Sequence, residues 1–338
     1  MRTTWLALLC CLAAPPAAAA DAQPFDAYAG LVRGVYAQWY LPGAQDFAVQ
    51  SQALVGSLQQ FCAADPAAPI EPPRQQWLRS VSAWERFSAV RGGALLARRS
   101  PRAIDFMPTR PEAIAEAVRS APADAAAMDA IRAPAKGLPA LEWLLWPGQL
   151  RPQTPACRYA EQVAADILAE ALALQTAYAS ALQAGWDDKE AEYAMYEFLN
   201  LWNSALQKLW REDMDSVLQK LQAGRFASFN RSSSGHSAEA WRIHWQALRE
   251  LAMGHGGNVS LHAYLLAQNH GAQAEQLAQA VAGVDQALGR LLAQRQPTAA
   301  SVPMAETIRA LKALQHFTET DLGHTLQFTI NFFDEDGD

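Results

Sequence analysis

The chain has 338 residues, of which 51% are hydrophobic and 18% charged, with a formal net charge of −7. That much apolar content supports a substantial core and excludes an intrinsically disordered chain. The acidic balance argues against nucleic acid or an anionic membrane surface as the main partner.

Residues 1–20 read as a signal peptide. Arg2 supplies the positive start, Trp5 to Ala14 the short apolar run, and Ala18-Ala19-Ala20 the small-residue cleavage site before Asp21. The run is too short for a permanent membrane span, and no later stretch is long and apolar enough for one. Cys10 and Cys11 leave a lipoprotein anchor open, against which stand the bulky Leu8 and Leu9 where small residues are wanted. Export to the periplasm is the expectation. Cleavage would leave Cys62 and Cys157 as the remaining cysteines. In an oxidising compartment they suit a single disulfide, with two buried free thiols as the alternative.

Helical periodicity dominates the rest of the chain. Helices are expected at 26–40, 44–62, 72–98 and 136–146, with Pro72-Pro73 opening the third. Thr109-Arg110-Pro111-Glu112 has the form of a capping box with proline in the first turn. Residues 158–184 place Tyr159, Val163, Ile167, Ala171, Leu174, Tyr178 and Leu182 on one face, and Gly185 is a stop. Asp187 or Asp188 can cap the next run, which reaches Gly224 as one long helix or two joined by a kink. Further helices fit 238–253, 259–269, 272–294 and 303–320. Leu326, Phe328, Ile330 and Phe332 alternate with polar residues, the period of an extended segment. With no sheet to join, this tail is expected to lie as a strip along a bundle. The fold class is all-α: two four-helix-bundle-like domains, 21–185 and 186–338, packed side by side.

The most distinctive segment is Lys136 to Pro147. Pro139 sits where a first helical turn tolerates proline, because its missing N–H has no partner there anyway. Glu142 follows among Leu141, Trp143, Leu144, Leu145 and Trp146. A carboxylate in such company must face solvent, a cleft or a partner, since burying it alone is costly. An exposed glutamate near the positive helix end and a cleft carboxylate or metal ligand are both open. Trp143 and Trp146 can line a pocket or pack in the core.

This segment resembles the signature of the imelysin family: glycine, any residue, histidine, two residues, glutamate, then an aromatic-leucine stretch. Gly137 and Glu142 match, and Pro139 stands in the histidine position. Trp84 to Leu95 with Arg91, and Arg102 to Pro108, resemble the tryptophan-to-"FWP" region of the family's N-terminal bundle. Cys157-Arg158-Tyr159-Ala160 resembles the start of its long helix, and Ser232 to Ser237 with Trp241-Arg242 its serine-containing segment. Leu322-Gly323-His324 through Asp338 resembles its acidic ending. The resemblance implies two helical bundles, an export signal and an interdomain cleft carrying the signature. It also implies a proposed metallopeptidase activity, a link of some members to iron uptake, and the signature histidine and glutamate as candidate metal ligands.

Proline has no donor atom, and zinc or iron held by protein normally needs three or more ligands. All seven histidines lie at 236 or later, and His-Glu-x-x-His is absent. His236 with Glu239 and His316 with Glu319 have helix-compatible spacing, which arises readily by chance. No nucleophile elbow is visible around Ser232 to Ser237, and the chain ends before Asp334 to Asp338 could close a calcium loop. The expected function is a periplasmic non-peptidase that binds a ligand or an envelope protein, with a connection to iron uptake. A metal-dependent peptidase with iron or zinc is the alternative, and a purely structural envelope protein the third reading. The expected ligand cleft comprises Gly137, Pro139, Glu142, Trp143, Trp146, Arg91, Ser234 and Ser237, with Glu142 the weak candidate for a metal.

Overall fold

A computed structural model describes residues 28–326, and among them there is no strand. The expected signal peptide and all but the first residue of the alternating tail lie outside the described residues. Leu326 is in a turn.

The first two expected helices are one continuous rod. α1 (Tyr28–Val35) runs through a π segment (Tyr36–Tyr40) into α2 (Leu41–Ala63). The Leu41 N–H reaches back to the Tyr36 carbonyl, and the wider turn falls where Pro42 has no N–H to give. α3 (Glu71–Phe87) ends well short of residue 98. The Ser88 hydroxyl bonds the Trp84 carbonyl at 2.8 Å, and Gly92-Gly93 follows, Gly93 with φ +55°. The short helices α4 (Ala94–Ala97), α5 (Ser100–Ile104), α6 (Pro111–Ser120) and α7 (Ala125–Asp129) come next. Pro111 opens α6 as expected, but the capping box does not form: Thr109 turns its hydroxyl to the Met107 sulfur.

α8 (Gly137–Leu145) carries the distinctive segment, and α9 (Pro155–Ala184) is the long helix stopped by Gly185. α10 (Asp188–Gln207) starts with a reciprocal Asp187–Glu190 cap, then passes through a π segment (Lys208–Asp215) into α11 (Ser216–Gln222). α12 (Ser237–Met253), α13 (Leu261–Ala267), α14 (Gly271–Leu292) and α15 (Ser301–Phe317) follow; a third π segment (Thr318–Leu322) leads into α16 (Gly323–Thr325).

α2, α3, α8 and α9 pack as one group, and α10 with its π segment, α12, α14 and α15 as another. Two seams join the groups: α1 lies on α10, and α3 lies on α12. The buried apolar side chains run across both seams as one cluster. Cys62 and Cys157 form a disulfide that ties the end of α2 to the start of α9, with Cα atoms 5.6 Å apart. A closed loop of this length restricts the unfolded chain by about 4–5 kcal/mol in the chain-entropy account. No described helix is long and apolar enough to cross a membrane.

Candidate functional site

The start of α8 is set by a close backbone approach. Gly137 has φ +76°, and a Cβ there would lie 2.3 Å from the Ile104 carbonyl oxygen, so only glycine fits. The helix is clamped from α3, where the buried Trp77 indole N–H donates to the Leu138 carbonyl at 3.0 Å. Gly137, Pro139 and Glu142 are all buried, Glu142 at 5% exposure.

One oxygen of the Glu142 carboxylate is held by the loop before α12. It accepts from the Ser234 backbone N–H at 2.9 Å and from the Ser234 hydroxyl at 2.7 Å. The loop is held closed by Ser237, whose hydroxyl donates to the Asn230 carbonyl at 2.6 Å. Ser234 therefore meets the signature glutamate directly, and Ser237 shapes the loop that presents it.

Arg231, in the same loop, is the centre of charge. It is 2% exposed and has φ +62°, a left-handed conformation that costs a side-chain-bearing residue about 1–2 kcal/mol. Its Nε donates to Glu85 of α3 at 3.0 Å, and its Nη2 to Asp105 at 2.6 Å. The other Asp105 oxygen accepts from the Trp84 indole at 3.1 Å. The guanidinium carbon lies 6.0 Å from the Trp77 ring. Burial would weaken the guanidinium's hold on its proton, but Asp105, Glu85 and Glu142 together overcome this and strengthen it. Three carboxylates from the first group of helices thus share one cation from the second.

A second ion pair lies in the π segment of the α10–α11 rod. Lys208 Nζ contacts the two Asp213 oxygens at 3.0 and 2.8 Å. These residues are five apart, the spacing that a π turn, with its i to i+5 hydrogen bonds, brings to one face. Asn230 donates to Asp213 at 3.3 Å, and His244 Nδ1 lies 3.7 Å from it. Burial would raise the Asp213 carboxyl, but Lys208 and His244 reverse that and hold it well below the usual carboxylate range. Lys208 keeps its proton more firmly than a free lysine: burial and Arg91 oppose it, and Asp213 and Glu85 prevail.

The remaining expected residues take other places. Trp143 packs against the turn at Gly148. Trp146 meets the Trp77 ring edge-on at 5.1 Å and lies under Arg74. Arg91 stands within electrostatic reach of Lys208. Sequence reasoning did not single out Glu85, Asp105, Arg231, Lys208, Asp213 or His244. Asp105 and Arg231 do fall inside or beside segments that carry the family resemblance, which is the signal that could have found them.

The donor set does not fit a zinc or iron centre. Pro139 offers no ligand atom, Glu142 is taken by Ser234, and a guanidinium already occupies the space between Glu85 and Asp105. His236 lies near Ser82, with Nε2 and hydroxyl 3.3 Å apart, and the Ser82 hydroxyl also reaches the Leu78 carbonyl at 2.8 Å. Burial lowers the His236 pKa. On the α3–α12 seam, a separate open groove of ≈ 440 Å³ is lined by Arg79, Ser82, Arg86, Glu239, Arg242 and Gln246 among others. Arg242 is braced there by Glu239 and by Gln246 at 2.6 Å.

A family model described as Imelysin matches residues 40–321. The fold is similar to an imelysin-like protein from Psychrobacter arcticum 273-4, with TM-score 0.77 and 17% identity over 90% of this chain and 97% of that one. It is also similar to a chain from Parabacteroides distasonis ATCC 8503 described as an iron-regulated protein A precursor, with TM-score 0.65 and 12% identity over 86% and 95%. No curated protein matches the chain in sequence. The match across most of the sequence, on an all-helical fold shared with these structures, places the chain in the imelysin family.

Proposed function

We propose that this chain is a periplasmic ligand-binding or interaction protein connected with iron acquisition, and that it does not hydrolyse peptides. The observation that carries this reading is the fate of the signature carboxylate. Glu142 Oε1 accepts both the backbone N–H and the hydroxyl of Ser234, and the buried Arg231 guanidinium lies among the neighbouring carboxylates where a metal would have to sit. A metal-dependent peptidase needs a cation with an open position, a bound water and a general base. Here the helix turn that should supply a ring nitrogen supplies Pro139, and the carboxylate faces a loop. The groove on the α3–α12 seam is of a size that small ligands occupy. The link to iron rests on the description of the Parabacteroides neighbour, and the periplasm on the leader read in residues 1–20.

Two assays test it. Unfolded protein substrate incubated with the purified chain and added zinc or ferrous iron should be cut no faster than with Glu142→Ala. Cleavage that vanishes in Glu142→Ala would overturn the non-peptidase reading. Ferric citrate, titrated against tryptophan fluorescence, should give a saturable change that Arg79→Ala with Arg242→Ala weakens. No response would remove the iron connection.

A further inference from the structure

The α1–α10 seam holds a constellation that the signature site does not use. Tyr36 and Tyr40 lie in the π segment between α1 and α2, and Tyr40 stacks on Tyr178 of α9 with ring centroids 5.0 Å apart. Their hydroxyls come up against Gly92 and Gly93. A Cβ on Gly92 would sit 2.6 Å from the Tyr40 oxygen, and one on Gly93 would sit 2.4 Å from the Tyr36 oxygen. The paired glycines are what let two phenol groups reach the same backbone turn. Tyr178 fixes that turn by donating to the Gly92 carbonyl at 2.7 Å and accepting from the Leu95 N–H at 3.1 Å.

Between these groups and α10 is a small cavity, lined by Tyr36, Tyr40, Gly92, Gly93 and Glu197 over apolar walls that include Leu31 and Phe198. Its free space, ≈ 10 Å³ for the centre of a water-sized sphere, is about one water molecule's worth. One buried hydroxyl here lacks the partner its chemistry asks for, and a carboxylate lines the same cavity. The Tyr40 residue is 2% exposed, and its hydroxyl has no hydrogen-bond partner of good geometry. The Gly92 backbone lies beside it without making a well-aligned bond. Glu197 is a half-buried carboxylate whose pKa burial pushes up, and none of the described residues lining the cavity is basic. On the other seam, by contrast, Asp105 and Glu85 have Arg231, and Asp213 has Lys208.

We propose that this pocket is a binding site for a monovalent cation of about the size of water, held by the Glu197 carboxylate and the oxygens of Tyr36 and Tyr40. One carboxylate with neutral oxygens balances a single positive charge. A divalent ion would want several carboxylates or a retained water shell for which the space has no room. Potassium and ammonium ions match the cavity, and the ammonium tip of a larger amine has the same chemistry. Occupation fills the α1–α10 seam, so the ligand stabilises the contact between the two groups of helices.

The test is thermal unfolding of the full chain at constant ionic strength, with chloride salts of potassium, ammonium, methylammonium and tetramethylammonium. Potassium or ammonium should raise Tm saturably by about 1–3 °C relative to tetramethylammonium. Methylammonium acting as well as ammonium identifies an amine tip, and its failure identifies a bare ion; both support the site. Glu197→Gln should abolish the response. Tyr40→Phe, which removes an unpartnered hydroxyl, should fold at least as stably and bind more weakly. Equal Tm in all four salts means that the pocket holds only water and overturns the proposal, as does an unchanged response in Glu197→Gln. If Glu197→Gln fails to fold, Tyr40→Phe decides: an undiminished response there overturns the proposal.

Discussion

The two seams treat buried charge in opposite ways. On the signature side, around α3, α8 and the loop before α12, the carboxylates have protein partners: Glu142 with Ser234, Glu85 and Asp105 with Arg231, and Asp213 with Lys208. On the α1–α10 side, Glu197 lines a cavity with two tyrosines, and no basic side chain among the described residues lines it with them. A network whose carboxylates already face protein cations or donors serves as a fastener between the two groups of helices. An incomplete one keeps capacity in reserve. The contrast teaches that the position of the family signature and the position of open binding chemistry need not coincide in this fold.

Breaking the completed side should cost most. Arg231→Met leaves Glu85 and Asp105 buried without their cation, and denaturant unfolding should show a loss of about 3–5 kcal/mol. A loss below about 1 kcal/mol would mean that water reaches those carboxylates freely. Removing the disulfide by Cys62→Ser with Cys157→Ser should cost about 2–5 kcal/mol, read the same way. Glu142→Ala strands the Ser234 N–H and hydroxyl at a cost of about 1–3 kcal/mol, whereas Glu142→Gln keeps an acceptor oxygen there and should cost less. Equal losses in the two variants would show that charge, and not the hydrogen bonds, matters at that position.

The smallest expected effect is in pH dependence. The folded-state pKa of Asp213 is depressed, so its contribution is present above the unfolded carboxylate value of about 4 and is lost as pH falls through the folded value. Glu197 has the opposite sign: its raised folded pKa favours the folded state under acid and works against it as the carboxyl ionises. Asp213→Asn should therefore flatten the acid limb of the denaturation midpoint measured from pH 5 downward. Glu197→Gln should flatten the slope in the carboxylate range above it. An acid limb unchanged by Asp213→Asn would place the titrating group elsewhere.

Much of the helical layout is legible in the sequence because it is local. The Tyr159 to Tyr178 stripe, an aspartate cap at 187 or 188, the Gly185 stop and the cysteine pair declare themselves over short stretches or by count, and the structure makes Asp187 the cap with Glu190 reciprocating. The departures come where local spacing competes with tertiary demands. α3 stops at Phe87 and the glycines beyond it lie against the tyrosine hydroxyls, and Thr109 has the right spacing for a cap it does not make. The π segments are invisible to a 3.6-residue period. At the candidate site, family resemblance brings Glu142 and Ser234 to notice. Arg231, Glu85 and Asp105 escape sequence reasoning because their pairing spans 146 and 126 positions and has no spacing rule.

Ser234 is the partner the structure gives the signature carboxylate, and the proposed reading has no metal ion joining it. Elemental analysis of the protein, purified without added metal or chelator, tests this most directly when Glu142→Ala is run beside it. Far less than one equivalent of zinc or iron is predicted in both. One equivalent in the wild type that disappears with Glu142 would contradict it.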